Sequence, residues 1–333
     1  MRVRIRHSTV YHYEDTVAVG QNEVRLVPRD TATQRVRGAS IRIDPSPESL
    51  RLELDYFGNP TSFFTLQEPH LRMSVEAESE VETEERELPA PEETPAWEDV
   101  RDGVHCDLSD EGLEAHGMVF ESPHVLLSPE LAAYAAPSFA EGKPILEAAL
   151  DLVSRIHREF DYRPGTTSVA TSLAQVLAGR RGVCQDFAHL GIGCLRSVGL
   201  PARYVSGYLR THPAEGAERL VGADASHAWL SLYCGAAGWI DLDPTNDRPA
   251  GADHVTLDTM LSDQVAAPEN DVLRVHEALD VLAQADARLA QVVEMRYFGG
   301  LTESEIADAL GVTDRTVRRD WEKARLLLLA AMT

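Results

Sequence analysis

The sequence contains no run of 18 apolar residues, and residues 1–7 alternate polar and apolar side chains instead of forming the apolar core of a signal peptide. We therefore expect no membrane span and no membrane partner. Cysteine is also scarce, with four residues and no Cys-x-x-Cys pair: Cys106, Cys184, Cys194 and Cys234. This spacing favours neither a metal site nor a disulfide framework, and it is typical of a reduced, cytoplasmic protein.

Basic residues are also few: the chain has 31 basic and 54 acidic residues, so its net charge is −23. A surface with that excess repels nucleic acid, so any contact with DNA needs a local basic patch. Hydrophobic residues make up 44% and charged residues 26%, which is ordinary for globular proteins. The length of 333 residues indicates two or three domains.

The first 88 residues have the pattern of a small β-sandwich. Short alternating runs recur between turn signals such as Pro45-Ser-Pro47 and Gly58-Asn59-Pro60. Residues 76–96 are rich in glutamate and contain three prolines, which favours a solvated linker over an acidic interaction segment. We place the first linker at residues 89–119.

Residues 120–257 have an α+β pattern, in which helices are followed by antiparallel strands. Helical spacing covers residues 144–160 and 184–198, and strand-like runs cover residues 203–209, 227–234 and 239–243. A second linker is expected at residues 258–270. Residues 271–333 are helical by pattern and form a third, all-α domain.

Cys184 lies where a loop, residues 179–183, becomes a helix. The positive end of the helix dipole lowers the pKa of a thiol there and favours the thiolate, and Arg180 and Arg181 would add to this effect. The alternative is a buried structural cysteine, which is the common fate of a free cysteine.

Two strands bring further candidates. His227 begins one strand and Asp243 ends the next. A two-residue loop at Ala236-Ala237 would put them on opposite faces, whereas a loop of three or five residues around Gly235–Gly238 would put them on one face. In the second case the carboxylate holds the imidazole in one tautomer, as a base-orienting group must. Either residue alone is more often structural.

At these residues the chain resembles the bacterial transglutaminase-like family. The segments that carry the resemblance, in chain order, are Gly182-Val-Cys-Gln-Asp-Phe-Ala-His189, Gly199-Leu-Pro-Ala-Arg-Tyr-Val-Ser-Gly-Tyr208, Ser226-His-Ala-Trp229 and Gly238-Trp-Ile-Asp-Leu-Asp-Pro-Thr-Asn246. Phe160-Asp-Tyr-Arg-Pro-Gly-Thr-Thr167 and the β-rich N-terminal region are similar to it too. The resemblance covers residues 1–257. It implies a papain-like core with Cys184 as nucleophile, His227 as general base and acid, and Asp243 as the group that orients the histidine.

The chemistry that the resemblance implies is acyl transfer on a protein or peptide substrate, with no cofactor. The thiolate attacks an amide carbonyl, and water or an amine resolves the thioester. The backbone N–H of Cys184 is a candidate oxyanion donor. Because both classes use the same thioester, the triad does not separate a transglutaminase from a protease. His189 lies off the helix face of Cys184, and we expect it to be structural.

The chain departs from the family after the Asp-Pro-Thr motif. Family members carry further strands there with a Gly-Arg-Asp-Tyr run, whereas here the resemblance ends at His254-Val-Thr-Leu257. An inactive or weakened enzyme therefore stays open as an alternative.

The C-terminal residues have helix-turn-helix spacing. Thr302-Glu-Ser-Glu305 fits a capping box, Gly311-Val312 fits a tight turn, and Thr313 can cap a second helix. Residues 313–325 contain five basic and three acidic residues, a net charge of +2, although residues 268–333 as a whole carry −4. The basic charge is thus concentrated where phosphate contacts need it. An amphipathic bundle with a solvated basic face is the alternative.

Residues 287–301, 305–313 and 316–321 resemble sigma factor region four of the extracytoplasmic-function type. That family implies contact with promoter DNA and RNA polymerase. By matching position, the candidate DNA contacts are Asp314, Arg315, Thr316, Arg318 and Arg319. No segment resembles region two, so we do not expect a complete sigma factor. The main hypothesis is a cysteine acyltransferase or amidohydrolase with a DNA-binding or polymerase-binding tail. The alternative is a transcription regulator whose transglutaminase-like part is a non-catalytic scaffold.

Overall fold

The computed structural model describes residues 1–167, 171–210 and 226–261, and from the C-terminal part residues 282, 286–293, 295 and 303–332. The chain divides into two compact units, Met1–Gln264 and Val265–Thr333. The first unit contains both the N-terminal β-region and the core, so the two predicted domains pack as one body.

The N-terminal region is β-rich, as predicted. Its strands are β1 (Arg2–Val17), β2 (Gly20–Val24), β3 (Gln34–Asp44), β4 (Ser49–Leu54), β5 (Pro60–Leu66) and β6 (His70–Thr83). They form two antiparallel three-stranded sheets, with the orders β1-β6-β3 and β2-β5-β4. One buried cluster takes side chains from both sheets, among them Ile43, Phe64 and Val75. This shared cluster is what packs one sheet on the other.

The prediction of a solvated linker over the glutamate-rich run is wrong for residues 76–83. These residues belong to β6, the central strand of its sheet. The glutamates occupy every second position, and their carboxylates meet arginines of the two neighbouring strands: Glu82 accepts from Arg2 at 3.0 Å and from Arg37 at 2.7 Å. Between them, Ala77 and Val81 point inward and are buried. The alternation of apolar residues at every second position, which is typical of a strand, was a better guide to the structure of this segment than its negative charge.

The linker predicted at residues 89–119 is also wrong. These residues include α1 (Trp97–Gly103) and α2 (Asp110–Gly117). Val100, Val104 and Ala115 are buried in the main hydrophobic core. Prolines and acidic residues are frequent here, but the burial of a few spaced apolar side chains fixes the segment against the core.

The core has the α+β order expected from the sequence. Its elements are α3 (Pro129–Ala135), α4 (Ile145–Glu159), β7 (Asp161–Tyr162), α5 (Leu173–Gly179), β8 (Arg181–Gly182), α6 (Cys184–Ser197), β9 (Ala202–Leu209), β10 (Ser226–Tyr233), β11 (Trp239–Asp243), β12 (Arg248–Pro249) and β13 (His254–Met260). The last five strands form one antiparallel sheet in the order β12-β11-β10-β9-β13. Helix α6 packs against this sheet so closely that a Cβ on Gly191 would lie 2.4 Å from Leu230 Cδ2.

The second predicted linker, residues 258–270, begins too early. Residues 258–260 complete β13, whose seven residues are all buried. The strand pairs with β9 and lies on the edge of the core sheet. The chain therefore keeps a strand after the Asp-Pro-Thr motif, although the sequence resemblance ends there. Residues 262–270 lie outside the described part of the chain.

In the second unit the described elements are helical: α7 (Ala287–Val293), α8 (Glu303–Leu310) and α9 (Asp314–Met332). Val292, Ile306, Ala307 and Val317 form one buried cluster. Gly311 has a φ of +64° in the turn before α9, and the Thr313 hydroxyl accepts from the Thr316 N–H at 3.3 Å. The predicted turn and second cap are thus confirmed. The capping box begins at Thr302, which lies outside the described residues.

Among the residues that the structure describes, no helix has the length and apolarity needed to cross a bilayer.

Candidate active site

Cys184 is the first residue of α6, as predicted, and its side chain is partly exposed. The Asp186 carboxylate caps the helix, since its Oδ2 accepts from the Val183 N–H at 2.8 Å and from the Thr167 hydroxyl at 2.6 Å. A Cβ on Gly182 would lie 2.7 Å from Asp186, so the loop needs glycine to approach its cap. The N–H groups of a first helical turn have no intrahelical partner, which leaves that of Cys184 suited to an anion.

His227 and Asp243 meet because the loop between β10 and β11 has an odd length. Tyr233 pairs with Trp239, so the loop holds five residues, 234–238. Extending this register puts Asp243 opposite Trp229 and therefore diagonal to His227 on the same face. His227 Nε2 lies 2.8 Å from Asp243 Oδ2. The geometric prediction for this pair is confirmed.

Cys184 is close enough to His227 for its charge and hydrogen bonding to contribute to the pKa of the imidazole, which puts the thiol beside the His227–Asp243 pair. Because Nε2 faces Asp243, the other ring nitrogen, Nδ1, is the one left to exchange a proton with the thiol. Burial lowers the pKa of His227, but the hydrogen bonds to Asp243 and Cys184 outweigh it and raise this pKa to about 9. An imidazolium beside a thiol favours the thiolate.

The Asp243 carboxylate is fully buried and accepts from five groups. Oδ1 accepts from the backbone N–H groups of Thr245 at 2.9 Å and Asn246 at 3.2 Å. Oδ2 accepts from the Asn246 amide at 2.6 Å and faces the Nε2 atoms of His227 and His254. Burial raises the pKa of Asp243, but these hydrogen bonds more than offset it and hold the pKa well below its usual range. The carboxylate is therefore an anion.

His254 is the member of this cluster that sequence reasoning missed. Its Nε2 lies 3.1 Å from Asp243 Oδ2, and its side chain is buried. It reaches the site from β13 because β9 pairs with both strands, with His227 opposite Gly207 and His254 opposite Leu209. The sequence feature that could have pointed to it is its position: His254 begins the strand that follows the Asp-Pro-Thr motif.

His227, Asp243 and His254 bring their ligand atoms within 4.8 Å of one another, close enough for a metal ion. The hydrogen bonds favour a different use of these atoms. The Gly251 N–H donates to Nδ1 of His254 at 3.2 Å, so the ring proton resides on Nε2, the atom that faces the carboxylate. A histidine that binds a metal through Nε2 has its lone pair there instead. The trio thus fits a hydrogen-bonded network better than a metal site.

Other residues noted in the sequence lie away from the chemistry. Arg180 donates to Glu159 at 3.0 Å and stacks over Tyr134, so it does not support the thiolate as expected. His189 is stacked between His124 and Tyr204, and burial lowers its pKa to about 3, which fits the structural role predicted for it.

Tyr162 is a second neighbour of the thiol. It pairs with Gly182 through the short β7–β8 ladder, and its ring is half exposed against the edge of Phe187. Burial and then the charge of Cys184 raise the pKa of Tyr162. The upstream Phe-Asp-Tyr-Arg segment thus brings Tyr162 close to Cys184.

The five candidate DNA contacts lie in the first two turns of α9. All are exposed except Thr316, which is half-buried: Asp314, Arg315, Thr316, Arg318 and Arg319. Arg319 contacts Asp320 at 3.3 Å, and Asp320 also accepts from Arg288 at 2.8 Å. The buried Val317 anchors this helix from its opposite side.

Comparison with known proteins agrees with the geometry. The profile for the bacterial transglutaminase-like N-terminal region matches residues 3–82, and that for the transglutaminase-like superfamily matches residues 132–244. An uncharacterized protein of Mycobacterium tuberculosis is 38% identical over 255 residues, which are 74% of this chain and 79% of that protein. The chain belongs to the transglutaminase-like superfamily. A third profile, ECF sigma factor, matches residues 244–333.

Two further likenesses concern this transglutaminase-like part. A crystal structure described as a candidate cysteine protease from Cytophaga hutchinsonii superimposes with a TM-score of 0.62 at 22% identity, covering 80% of this chain and 84% of that one, and it shows the fold. A protein-glutamine gamma-glutamyltransferase of Pseudomonas aeruginosa is 38% identical over 68 residues, or 20% of this chain and 10% of that protein.

Proposed function

We propose that the first unit is a cysteine-dependent enzyme that cleaves or transfers amide acyl groups of proteins or peptides through a thioester. The observation that carries the proposal is the His227–Asp243 pair, in which His227 Nε2 lies 2.8 Å from the fully buried carboxylate, with the Cys184 thiol at the start of α6 beside the imidazole. The match to the transglutaminase-like superfamily supports the same class, because the resemblance to that family implies a Cys-His-Asp site at these residues. A histidine whose pKa is raised to about 9 beside a thiol favours a catalytic site over a non-catalytic scaffold.

In this mechanism the Cys184 thiolate attacks the amide carbonyl carbon, and the carbonyl oxygen becomes an oxyanion next to the Cys184 N–H. The tetrahedral intermediate collapses as the His227 imidazolium gives its proton to the leaving amine. Water or a second amine then attacks the thioester, and neutral His227 takes the proton of that nucleophile. Departure of the acyl product restores thiolate and imidazolium. Asp243 keeps the ring oriented throughout.

The test is mass spectrometry of a glutamine-containing peptide library incubated with the protein and a primary amine. Incorporation of the amine supports a transferase, as the name of the Pseudomonas relative suggests, and cleavage or deamidation supports a hydrolase. Cys184→Ala must abolish either product. The matched control is Cys106→Ala, which removes an exposed thiol elsewhere and should leave the reaction intact.

Loss of product in both variants, or in neither, would contradict the assignment of Cys184 as the nucleophile.

We also propose that the second unit binds DNA as a helix-turn-helix formed by α8 and α9, within a cytoplasmic protein that contacts RNA polymerase. The supporting observations are the sigma-factor match and the exposed arginines on α9: Arg315, Arg318 and Arg319. Because the whole chain carries −23, only such a local patch can hold phosphate.

A gel shift on promoter DNA at two salt concentrations tests this. Arg318→Ala with Arg319→Ala should weaken the shift and flatten its salt dependence, because two phosphate contacts are lost. The control is Arg51→Ala with Arg72→Ala, which removes the same charge from exposed positions in the first unit. Equal binding by both double variants would contradict the DNA-binding proposal.

A further inference from the structure

The Asp243 carboxylate serves two imidazoles rather than one. Its Oδ2 atom lies 2.8 Å from Nε2 of His227 and 3.1 Å from Nε2 of His254. The two histidines come from different strands, and their ring centroids are 6.2 Å apart. The mechanism proposed above uses His227 and leaves the second histidine without a role.

The turn before β13 fixes the ring of His254. Its backbone N–H donates to the Gly251 carbonyl at 2.9 Å, and the Gly251 N–H donates to Nδ1 of the ring at 3.2 Å. A nitrogen that accepts a hydrogen bond carries no proton, so the neutral ring has its proton on Nε2. Trp229 packs edge-on against the ring at 5.1 Å and limits its rotation. The N–H of His254 therefore aims at the carboxylate.

The fixed N–H group of His254 affects the protonation and the orientation of the Asp243 carboxylate. A buried carboxylate with an unfilled acceptor position is costly, and its pKa rises. His254 is one of three donors to Oδ2, with His227 and the Asn246 amide, and its hydrogen bond helps to keep the carboxylate ionised and turned towards His227. The proton shared between His227 and Asp243 then stays on the imidazole, where the thiolate needs it.

We propose that His254 is a positioning residue of the active site, whose neutral Nε2–H group holds the Asp243 carboxylate in place for His227. The inference rests on the proposed function of Cys184. Titratable groups face the carboxylate from two strands, His227 from β10 and His254 from β13, while Arg248 of β12 is its register neighbour. Cys184 of α6 is linked to the carboxylate through its effect on His227.

The experiment compares alkylation of Cys184 by iodoacetamide between pH 5 and pH 10 in the full chain. His254→Leu removes the donor at similar volume, and His254→Gln supplies another N–H. The Leu variant should lose roughly tenfold or more in rate at pH 7, by analogy with the roughly 10–100-fold effects of groups that orient metal-binding side chains. The acid limb of its pH–rate profile should move to higher pH, because a less well held carboxylate stabilises the imidazolium less, and the imidazolium then stabilises the thiolate less. The Gln variant should recover most of the rate.

His70→Leu is the matched control, since it removes an equally buried histidine from β6 in the N-terminal region. It should leave the rate and the pH range unchanged. A Leu variant as reactive as the wild type overturns the proposal, and so do equal losses in the Leu and Gln variants, because packing would then explain them. If Cys184 of the wild type is no more reactive than Cys106, the proposed function fails instead.

A measurement on the wild type covers the case in which His254→Leu does not fold. Long-range ¹⁵N NMR of histidine-labelled protein at pH 7 reports which ring nitrogen carries the proton. We expect His254 with its proton on Nε2 and an unprotonated Nδ1. A proton on Nδ1, or on both nitrogens, overturns the proposal.

Discussion

At the scale of single residues, the site depends on one buried anion. Asp243 has no exposed surface, and yet five hydrogen bonds keep it charged. The anion raises the pKa of His227, and the raised pKa makes His227 a proton donor at neutral pH. In the proposed mechanism, Asp243 therefore acts on the Cys184 thiol through His227.

Replacing Asp243 by Asn tests this dependence. The amide keeps the shape but removes the charge, so the pKa of His227 should fall from about 9 towards its ordinary value. Removing the equivalent carboxylate in another triad costs about 10⁴ in rate, and we expect a loss on the order of 10²–10⁴ here. The alkaline limb of the pH–rate profile should move to lower pH. An unchanged limb would show that Asp243 does not set the charge of His227.

Asp258 of β13 is a second buried carboxylate, but its surroundings raise its pKa instead of lowering it. Burial raises its pKa to about 7, and the nearby Asp55 and Glu23 oppose the help of Arg25 and Arg29. Its Oδ1 atom has no hydrogen-bond partner among the described residues. A carboxyl group whose pKa is higher in the folded state binds protons better there, so its contribution to stability is lost as the pH rises from about 4 to 7.

Asp258→Asn should therefore stabilise the protein above pH 7, by about 1–3 kcal/mol if the cost is that of an unsatisfied buried group. The gain should shrink as the pH falls towards 4. Urea unfolding at pH 5 and pH 8 measures it, with the exposed Asp44→Asn as control. If Asp258→Asn raises the free energy of unfolding equally at pH 5 and pH 8, the raised pKa of Asp258 does not explain the gain.

At the scale of elements, the sheet brings together residues that the sequence keeps apart. The pairing of β9 with both β10 and β13 places His227 and His254 beside one carboxylate. Gly207 allows this approach, because a Cβ there would lie 2.0 Å from the Val255 carbonyl oxygen and 2.6 Å from Trp229.

Gly207→Ala should therefore push the strands apart. We expect a loss of stability of at least about 2 kcal/mol, in the range of overpacked cores, together with loss of Cys184 reactivity. Gly38→Ala is the control, since nothing lies within 4 Å of a Cβ at that strand position. Equal stability of the two variants in urea unfolding would refute the role assigned to Gly207.

The pairing of the strands explains which features the sequence could predict and which it could not. The triad and helix α6 followed from local motifs, and strand parity predicted the odd loop between β10 and β11. His254 was missed because its partner Asp243 lies in β11, three strands away in the sheet. The run from Glu76 to Glu82 was misread because its charge hid a period-two strand whose arginine partners are distant in sequence.

At the scale of the whole molecule, the two units have separate hydrophobic clusters. The match to the mycobacterial relative covers 255 residues, close to the size of the first unit. We expect a fragment of residues 1–264 to keep the melting temperature and Cys184 reactivity of the full chain, and to lose the DNA shift. Calorimetry and alkylation measure this. A fragment that is unfolded or unreactive would mean that the core needs the helical unit.

The central claim is that the first unit holds a thiolate activated by His227. Alkylation by iodoacetamide at pH 6.5, followed by peptide mass spectrometry, compares Cys184 with the exposed Cys106 in one sample of folded protein. An ordinary thiol is only about 1% ionised at that pH, so an ion pair should make Cys184 faster on the order of tenfold or more, even though a thiolate of low pKa is less nucleophilic. His227→Gln should remove the difference. Equal rates for the two cysteines in the wild type would contradict the account.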